Sequence, residues 1–212
     1  CMQKGDQHQL ITKGAINNIV AVCDKVLIAD GSVVPIADQK NKIDELYLQF
    51  SNQGFRTIGV CYKKSDQLRR LTKEDEKEMI FAGFVLLFDP PKEGVIEVIT
   101  ELSKNGVGLK VITGDNKLVA AYIAGKIGMK DVRVITGAEI NIMSPEALVI
   151  KVQTANVFAE IEPQQKESII KALRKAGHTV AYMGDGINDV AAINAADVGI
   201  SISNAVDVAK EA

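Results

Sequence analysis

The sequence contains no tryptophan, few aromatic residues and no strong excess of either charge. Aromatic residues make up 5% and apolar residues 47% of the 212 positions, so a core must be built mainly from Val, Ile, Leu and Ala. That composition suits an α/β protein with buried parallel strands. The formal net charge of −2 argues against a protein that binds nucleic acid through positive charge.

Other features are also scarce or missing. The three cysteines, Cys1, Cys23 and Cys61, are odd in number and scattered, which indicates reduced thiols in a cytosolic setting. The longest apolar runs, such as 81–88, fall short of the roughly 18 residues of a spanning helix. The sequence has no signal peptide pattern and no initiator methionine, so we expect a piece of a longer protein. The G-x-x-x-x-G-K-[ST], G-x-G-x-x-G and H-E-x-x-H motifs are absent, which removes the commonest alternative nucleotide folds.

The pattern of apolar residues changes at the pair Pro90-Pro91, which suits neither a helix interior nor a central strand. The earlier part is irregular, with a hairpin predicted at Asp30-Gly31. After the prolines, short strands alternate with helices, which predicts a parallel sheet with helices on both faces. The predicted strands are 9–11, 26–28, 33–36, 55–62, 82–88, 107–112, 132–135, 157–158, 179–183 and 198–200. The predicted helices are 15–23, 41–52, 94–104, 117–127, 145–152, 163–176, 188–195 and 205–212.

The stretch Met183-Gly184-Asp185-Gly186-Ile187-Asn188-Asp189 follows a predicted strand and is rich in oxygen ligands. Mg2+ prefers oxygen ligands and takes only one or two carboxylates when phosphate supplies the rest. We expect Asp185 to bind Mg2+ directly and Asp189 to support the metal or its waters. Asn188 can donate to a phosphate oxygen and cap the next helix. A plain glycine turn would explain Gly186 and Asn188 but not both aspartates.

Two other strand-end segments carry suitable groups. Thr113-Gly114-Asp115 precedes a predicted helix, where a hydroxyl and free N–H groups suit a phosphate. The alternative is a turn with Asp115 or Asn116 as the helix cap. Lys166 lies in the first turn of a helix, where the dipole disfavours a cation unless a phosphate attracts it; the alternative is an exposed helical lysine. Ligands in open α/β sheets bind beyond the carboxyl ends of the strands, so we expect metal-assisted phosphate chemistry there.

With these motifs in this order, the sequence resembles the cytoplasmic part of a P-type cation-transporting ATPase, of the haloacid dehalogenase superfamily, over nearly its whole length. Gly184–Asp189 and the following Ala-Ala-Asp-Val-Gly-Ile-Ser resemble the most specific family motif, and Thr113–Asp115 a second one. Asp89-Pro90-Pro91-Lys92 is similar to the hinge between domains. Thr12-Lys13-Gly14-Ala15 and Phe55-Arg56-Thr57-Ile58 are similar to the nucleotide pocket.

The resemblance implies two domains. Residues 1–88 would form part of an α+β nucleotide-binding (N) domain. Residues 89–212 would form a phosphorylation (P) domain with a haloacid-dehalogenase-like Rossmannoid parallel sheet that lacks the phosphoacceptor strand. The implied activity is ATP hydrolysis through an aspartyl phosphate, coupled to ion transport, with Mg2+ and ATP as cofactors and no nucleic-acid partner. The implied location is the cytoplasmic face of a membrane, as a soluble part of an integral membrane protein.

The resemblance also assigns roles to individual residues. The nucleotide-binding residues would be Lys13 in the adenine pocket, Gly14, Arg56 at the nucleotide phosphates, and Asp89. The catalytic residues would be Thr113, Gly114, Asp115, Lys166 and Asn188, with the lysine neutralising the transferred phosphoryl group. The Mg2+ ligands would be Asp185 and Asp189.

Two departures from the family pattern carry expectations of their own. The phosphoacceptor motif Asp-Lys-Thr-Gly-Thr is absent, so we expect the chain to begin inside the N domain and the isolated chain to be inactive. The actuator domain and the membrane helices of the same pump would also be missing. The sheet would then have a central gap between strands 107–112 and 179–183, filled by the upstream segment or by another chain's strand. Glu160 stands where many relatives have an arginine that helps to hold the nucleotide. Proton-pump-like members of the family resemble this chain at that position.

The segment 199–212 most resembles the magnesium-transporting subgroup, with sodium–potassium and calcium pumps as competitors. Two other functions remain open at this point. The chain could be a non-catalytic module that binds MgATP or phosphate. It could also be a free-standing haloacid-dehalogenase-type phosphatase, although the nucleotide-pocket motifs would then have no purpose.

Overall fold

The computed structural model describes residues 2–4, 7–65 and 72–202. The chain divides into two units at the Pro90-Pro91 pair, residues 1–90 and 91–212. Cys1, the predicted helix over 205–212 and part of the charged segment after the strand at 56–65 lie outside the described residues.

The first unit is built on a mixed six-stranded sheet, as far as the described residues extend. The strand order is β1-β2-β5-β6-β3-β4, and every neighbouring pair is antiparallel except β3 and β6. The elements are β1 Met2–Lys4, β2 Gln7–Ala15, α1 Ile16–Ala21, β3 Cys23–Leu27, β4 Val33–Pro35, α2 Lys40–Asn52, β5 Arg56–Ser65 and β6 Met79–Leu87.

Local sequence signals account for most of this unit. The hairpin between β3 and β4 turns at Gly31, whose φ of 87° favours glycine, and the Ser32 N–H donates to Asp30 Oδ1 at 2.8 Å. Strand β2 is much longer than the predicted 9–11, because it pairs with β5 from His8 to Ala15. Helix α1 is correspondingly shorter than predicted.

The core of the first unit is aliphatic, as the composition predicts, with aromatic rings at one side. Its buried members are Ile16, Ile19, Val26, Ile43, Cys61, Met79 and Phe81. The two cysteines described here are free thiols. Burial raises the pKa of Cys23 to about 12 and also raises the pKa of Cys61. Both therefore remain protonated at neutral pH and behave as small apolar side chains.

The second unit alternates strands and helices. Its elements are α3 Val95–Lys104, β7 Val111–Ile112, α4 Lys117–Lys126, β8 Val134–Thr136, α5 Gly137–Asn141, α6 Pro145–Thr154, β9 Val157–Ala159, α7 Pro163–Lys175, β10 Ala181–Gly184, α8 Val190–Ala195 and β11 Val198–Ser201. The strands form two parallel sheets, one of order β7-β9-β8 and one that pairs β10 with β11. The predicted α/β class with parallel strands is confirmed.

The predicted strand 107–112 is wrong in length, because only Val111 and Ile112 pair with β9. Lys110, the residue before them, contacts the end of a helix instead. Lys110 Nζ donates to the carbonyl oxygens of Val152 and Ala155, at 2.8 and 2.5 Å, where α6 ends. A cation is favourable at a helix C-terminus, where carbonyl groups lack helical partners. Burial lowers the pKa of Lys110.

Sequence reasoning missed helix α5, although its signal is present. Thr136 and Glu139 form a capping box: the Glu139 N–H donates to Thr136 Oγ1, and Thr136 N–H donates to Glu139 Oε2 at 2.7 Å. The spacing of a threonine and a glutamate three residues apart is the usual mark of a helix N-terminus. The segment Val134-Ile135-Thr136-Gly137 is therefore both a strand end and a helix start.

Strand β9 lies at the centre of the larger sheet, and all three of its residues are buried. Its neighbours in the core come mainly from α6, α7 and α8. The largest fully buried side chains there are Phe158, Ile135, Ile169, Ile170, Val152 and Val157. This packing sets the positions of the strand ends, where the polar motifs lie.

Candidate functional site

The three strand-end motifs of the second unit meet at one cavity of about 350 Å3. Thr113 and Gly114 follow β7, Asp185 follows β10, and Lys166 projects from the first turn of α7. The full lining is Ile112, Thr113, Gly114, Lys166, Tyr182, Met183, Gly184, Asp185, Asp189 and Ile202. The prediction that these motifs converge beyond the strand ends agrees with this geometry.

The Thr113 turn is tied to the segment that follows β9. Thr113 N–H donates to Phe158 O at 2.9 Å, and Ile161 N–H donates back to Thr113 O at 3.0 Å. Within the turn, Asp115 N–H donates to Thr113 Oγ1 and Thr113 Oγ1 donates to Asp115 Oδ2, both at 3.1 Å. Asp115 is not among the residues that line the cavity, and its catalytic role stays a prediction.

The open question of which residue caps α4 is answered by the structure. Asn116 Oδ1 accepts hydrogen bonds from the N–H groups of Leu118 and Val119, both at 3.0 Å. These bonds satisfy two of the donors that a helix N-terminus leaves without intrahelical partners. The helix start thereby fixes the direction in which the Thr113 turn leaves the sheet.

Glu160 follows β9, contacts the start of α4, and has a backbone φ of 58°. Its N–H donates to Asp115 O at 2.8 Å, and its Oε1 accepts from Lys117 N–H at 3.1 Å. A carboxylate is favourable at a helix N-terminus. The residue that departs from the family pattern thus stabilises the Thr113 turn.

Lys166, Asp189 and Tyr182 form a hydrogen-bonded cluster beside the cavity. Lys166 Nζ lies 2.7 Å from Asp189 Oδ1, and the Tyr182 hydroxyl donates to the same oxygen at 2.7 Å. Gly186 N–H donates to Asp189 Oδ2 at 3.2 Å. The lysine and aspartate side chains retain only 15% and 10% of their exposure, so water screens their attraction little.

The cluster shifts the pKa of two of its members. Burial alone raises the pKa of Asp189, but the hydrogen bonds from Lys166, Tyr182 and Gly186 together with the lysine charge outweigh burial and lower it. Burial, the hydrogen bond to Asp189 and the charges of Asp189 and Asp185 all raise the pKa of Tyr182. Asp189 is therefore a carboxylate and Tyr182 a neutral hydroxyl donor at neutral pH.

A close backbone approach explains the glycine before Asp185. A Cβ atom at Gly184 would lie 2.4 Å from Asp189 Cβ and 2.7 Å from its Cγ. No side chain larger than hydrogen fits there unless the loop moves. Gly184 therefore allows the Asp189 carboxylate to reach Lys166.

The site offers two carboxylates for a metal ion. Asp185 is exposed and lines the cavity, whereas Asp189 already accepts three hydrogen bonds. Within the part of the chain that the structure describes, no three His, Cys, Asp or Glu side chains are grouped for a metal ion. Mg2+ usually takes one or two carboxylates and keeps several waters, so the donor set fits Mg2+ with Asp185 as the better direct ligand.

Asn188 lies in the loop between β10 and α8 and is exposed, outside the lining of the cavity. The predicted capping of the next helix by Asn188 is wrong. Helix α8 begins at Val190, and its N-cap residue is Asp189, with no side-chain hydrogen bond to the helix. The catalytic role of Asn188 stays a prediction.

The first unit places Lys13 and Arg56 on one exposed face of its sheet. Lys13 lies opposite Val60, and Arg56 comes four residues before Val60 on the same strand. Directly opposed residues share a face, as do alternate residues along a strand, so both cations point to the same side. Their positions are about 13 Å apart along the strand.

Gly14 and Asp89 are placed differently. Gly14 lies opposite Gly59, on the other face, where a Cβ at Gly59 would lie 3.0 Å from Ile16. Gly59 lets helix α1 pack closely on the sheet, whereas a Cβ at Gly14 would lie 3.6 Å from Ile19, an ordinary contact distance. Asp89 is exposed and follows the last strand of the first unit. The nucleotide-binding roles of both residues stay predictions.

Tyr182 is the residue of this site that sequence reasoning missed. Val180 and Tyr182 are both buried and alternate with exposed neighbours along the chain, which is the pattern of a strand with one buried face. A buried tyrosine hydroxyl needs a hydrogen-bond partner. Together with the carboxylates after the strand, that pattern could have identified the residue.

The chain belongs to a family of hydrolases: residues 19–197 match the family model described as haloacid dehalogenase-like hydrolase. The predicted resemblance to cation-transporting P-type ATPases is confirmed by individual relatives. The chain is 37% identical to "Magnesium-transporting ATPase, P-type 1" of Escherichia coli K12, over 98% of its length. It is 35% identical to a calcium-transporting ATPase of Listeria monocytogenes, over 97% of its length.

The chain spans 23% of the length of the first of these relatives and 24% of the second. The two identities are nearly equal, so similarity alone does not separate magnesium from calcium transport. Among the helices that the structure describes, none is both long enough and apolar enough to cross a membrane.

We predict that Gly184→Ala destabilises the second unit by roughly 1–3 kcal/mol, because the new methyl group would overlap Asp189. The measurement is urea unfolding of the variant against the unaltered chain. Gly125→Ala is the matched control. Gly125 lies in α4 with open space around it, so alanine there should stabilise the helix by about 0.5–1 kcal/mol. Equal stabilities of the two variants would contradict the close approach.

Proposed function

We propose that the chain is the nucleotide-binding and phosphorylation part of a P-type cation-transporting ATPase. One observation carries this proposal: Thr113, Lys166 and Asp185 line a single cavity at the carboxyl ends of two parallel sheets. In the longer protein, ATP hydrolysis would proceed through an aspartyl phosphate and drive ion transport. Residues 1–88 would then be part of the N domain and residues 89–212 the P domain.

The side chains around the cavity suit phosphoryl transfer, which needs mainly positioning and charge neutralisation. The Gly114 N–H is a candidate donor to phosphoryl oxygens, as is the Thr113 hydroxyl once it turns from Asp115 Oδ2, and Lys166 brings a positive charge. Asp185 would hold Mg2+, which when bound neutralises charge on the phosphoryl oxygens. Asp189 would act mainly through Lys166, which it contacts at 2.7 Å.

The strand pairing is consistent with a place for a phosphoacceptor segment between β7 and β10. Within the described residues, β7 pairs only with β9, and β10 pairs only with β11. A direct pair between β7 and β10 would have contradicted a central gap, and no such pair occurs among them. A parallel strand that enters between β7 and β10 would end at the cavity, beside Thr113 and Asp185. We propose that the segment with the Asp-Lys-Thr-Gly-Thr motif, upstream in the same pump, occupies this place.

Helix α3 supports the same proposal. Its residues Val95, Val98 and Leu102 recur at helical spacing, yet none is buried, and Val98 and Leu102 are 57% and 37% exposed. A helix with such a stripe normally packs it against another element. A strand added to the sheets of this unit would give that stripe a surface to cover.

The first unit would bind the nucleotide. Lys13 and Arg56 share one exposed sheet face with Ile58 and Val60. Apolar side chains and positive charges therefore lie on the same surface. Their separation of about 13 Å along the strand is comparable to the reach of an extended nucleoside triphosphate. The face thus combines a surface for a base with charges for phosphates. This pairing disfavours a free-standing phosphatase, which would have no use for a nucleotide site.

The transported ion is proposed to be magnesium, from the relatives and from the similarity of the segment 199–212. The longer protein would then place this chain at the cytoplasmic face of a membrane, with an actuator domain and membrane helices as partners. The chain itself carries no Asp-Lys-Thr-Gly-Thr motif. By itself it would therefore bind MgATP or phosphate without turnover.

Incubation with γ-labelled ATP and Mg2+, followed by acid quenching, tests the phosphorylation proposal. We expect hydroxylamine-sensitive label on a longer protein that carries the Asp-Lys-Thr-Gly-Thr motif, and none on this chain alone. The label should disappear in the longer protein when the motif's aspartate is changed to asparagine. An unlabelled longer protein that still binds MgATP would reduce the proposal to a binding module.

We predict that Lys13→Ala weakens MgATP binding by about tenfold, because a charge-assisted contact of about 1.4 kcal/mol is lost. Equilibrium dialysis or calorimetry on the full chain measures the affinity. Lys25→Ala is the control, since Lys25 is an exposed lysine of β3 in the same unit. Equal affinities for the Lys13→Ala variant and the unaltered chain would count against a nucleotide site on this sheet face.

We predict that Asp185→Asn abolishes the Mg2+-dependent part of phosphate binding, because the variant keeps the shape of the side chain and loses the charged metal ligand. The measurement is inorganic phosphate affinity with and without Mg2+. Asp131→Asn is the control, because Asp131 is exposed and its φ of 50° is a conformation that asparagine also adopts. Retained Mg2+ dependence in Asp185→Asn would remove Asp185 as the ligand.

A further inference from the structure

The hydroxyl group of Tyr182 has no role in the function proposed above, yet it lies in the middle of the site. The residue is 8% exposed and packs in the main core of the second unit. Its ring lines the cavity together with Lys166 and Asp189. A phenylalanine would fill the same space, so packing explains the ring and leaves the hydroxyl unexplained.

Burying a hydroxyl without a partner costs free energy, so a buried tyrosine oxygen marks a specific hydrogen bond. The partner here is Asp189 Oδ1, at 2.7 Å. Lys166 donates to that same oxygen, also at 2.7 Å. One carboxylate oxygen therefore receives both the neutral donor from β10 and the cationic donor from α7.

This sharing has a geometric consequence. Gly186 N–H holds Asp189 Oδ2 at 3.2 Å, and the Tyr182 hydroxyl occupies one side of Oδ1. The carboxylate is thereby fixed at both oxygens, Lys166 shares Oδ1 with the hydroxyl, and all three residues line the cavity. Without the hydroxyl, the ammonium group could settle further onto the carboxylate and away from the cavity.

We propose that Tyr182 is a positioning residue: its hydroxyl orients the Asp189 carboxylate, and through it holds the Lys166 ammonium group toward a phosphoryl group in the cavity. The inference rests on the phosphate site proposed above. Tyr182 itself touches neither the phosphoryl group nor the metal ion. It sets how much of the lysine charge is available to the phosphoryl oxygens.

The charges around the cluster support this arrangement. Two carboxylates, Asp185 and Asp189, and one ammonium group, Lys166, line the cavity together with Tyr182. Lys166 must serve both Asp189 and an incoming anion, so a second donor on Asp189 leaves more of the lysine charge for that anion. A neutral hydroxyl supplies this donor without adding another charge to the site.

The test compares Tyr182→Phe with Tyr122→Phe in the full chain. Tyr122 lies in α4, with Lys126 Nζ 5.3 Å from its ring centroid, and does not line the cavity. Inorganic phosphate is titrated at fixed Mg2+, and Mg2+ is titrated alone. For Tyr182→Phe we expect the phosphate dissociation constant to rise about threefold to tenfold, as loss of one hydrogen bond implies. The dissociation constant for Mg2+ alone should stay unchanged, and Tyr122→Phe should change neither.

A role confined to stability would lower the unfolding midpoint of Tyr182→Phe and leave the phosphate constant unchanged, which would overturn the inference. Equal weakening of phosphate and of Mg2+ alone would overturn it too, because the whole loop would then have moved. If the unaltered chain binds no phosphate, the proposed phosphate site fails and the inference fails with it. If only the Tyr182→Phe comparison fails, the phosphate site stands.

Tyrosine emission provides a second readout that does not depend on the variant's stability. The sequence has no tryptophan and four tyrosines, so tyrosines dominate the emission. A hydrogen bond to a carboxylate quenches tyrosine emission. Phosphate should draw Lys166 from Asp189 and strengthen the bond from Tyr182, so emission should fall on titration of the unaltered chain and of Tyr122→Phe. No change in the unaltered chain at a phosphate concentration that calorimetry shows to be saturating would overturn the inference.

Discussion

The carboxylate of Asp189 is the group on which the geometry of the second unit's site depends. It joins α7, through Lys166, to the end of β10, through Tyr182 and the Gly186 N–H. The Lys166 and Asp189 side chains are mostly shielded from water, so loss of Lys166 would leave the buried Asp189 carboxylate without its counter-charge. The glycine at 184 exists to allow this approach, since any Cβ there would overlap the aspartate. The ion pair, the loop and the strand end therefore form one structural unit.

On the other side of the cavity, a second set of hydrogen bonds fixes the geometry of the site. The Thr113 turn is held by backbone hydrogen bonds to Phe158, Glu160 and Ile161, which continue from the buried central strand β9. Both sides of the cavity are thus anchored in the hydrophobic core, and only their ends carry polar groups. Rigid anchoring of this kind suits phosphoryl transfer, in which positioning and charge matter more than covalent participation of the protein.

In both units, the direction of the strands decides which side chains share one surface. In the first, one face of a mostly antiparallel sheet is covered by helices, while the other presents Lys13 and Arg56. In the second, parallel strands end together at the cavity. Alternation along a strand and the shared direction of parallel strands are properties of the backbone. For that reason a single sequence could predict which residues converge, although it gave poor lengths for β2, β7 and α1.

The sequence by itself determined the α/β class and, except for α5, the order of the strands and helices along the chain after Pro91, because both follow from local patterns. It also predicted the convergence of Thr113, Lys166 and Asp185, because ligands in open α/β sheets bind beyond the carboxyl ends of the strands. The tertiary structure alone decided what Asp189, Tyr182 and Glu160 contact. A hydrogen bond between Tyr182 and Asp189 depends on how a loop returns over its own strand, and the bond between Glu160 and the start of α4 joins residues 43 positions apart. No local propensity encodes such a contact; it exists only after the core has fixed both ends.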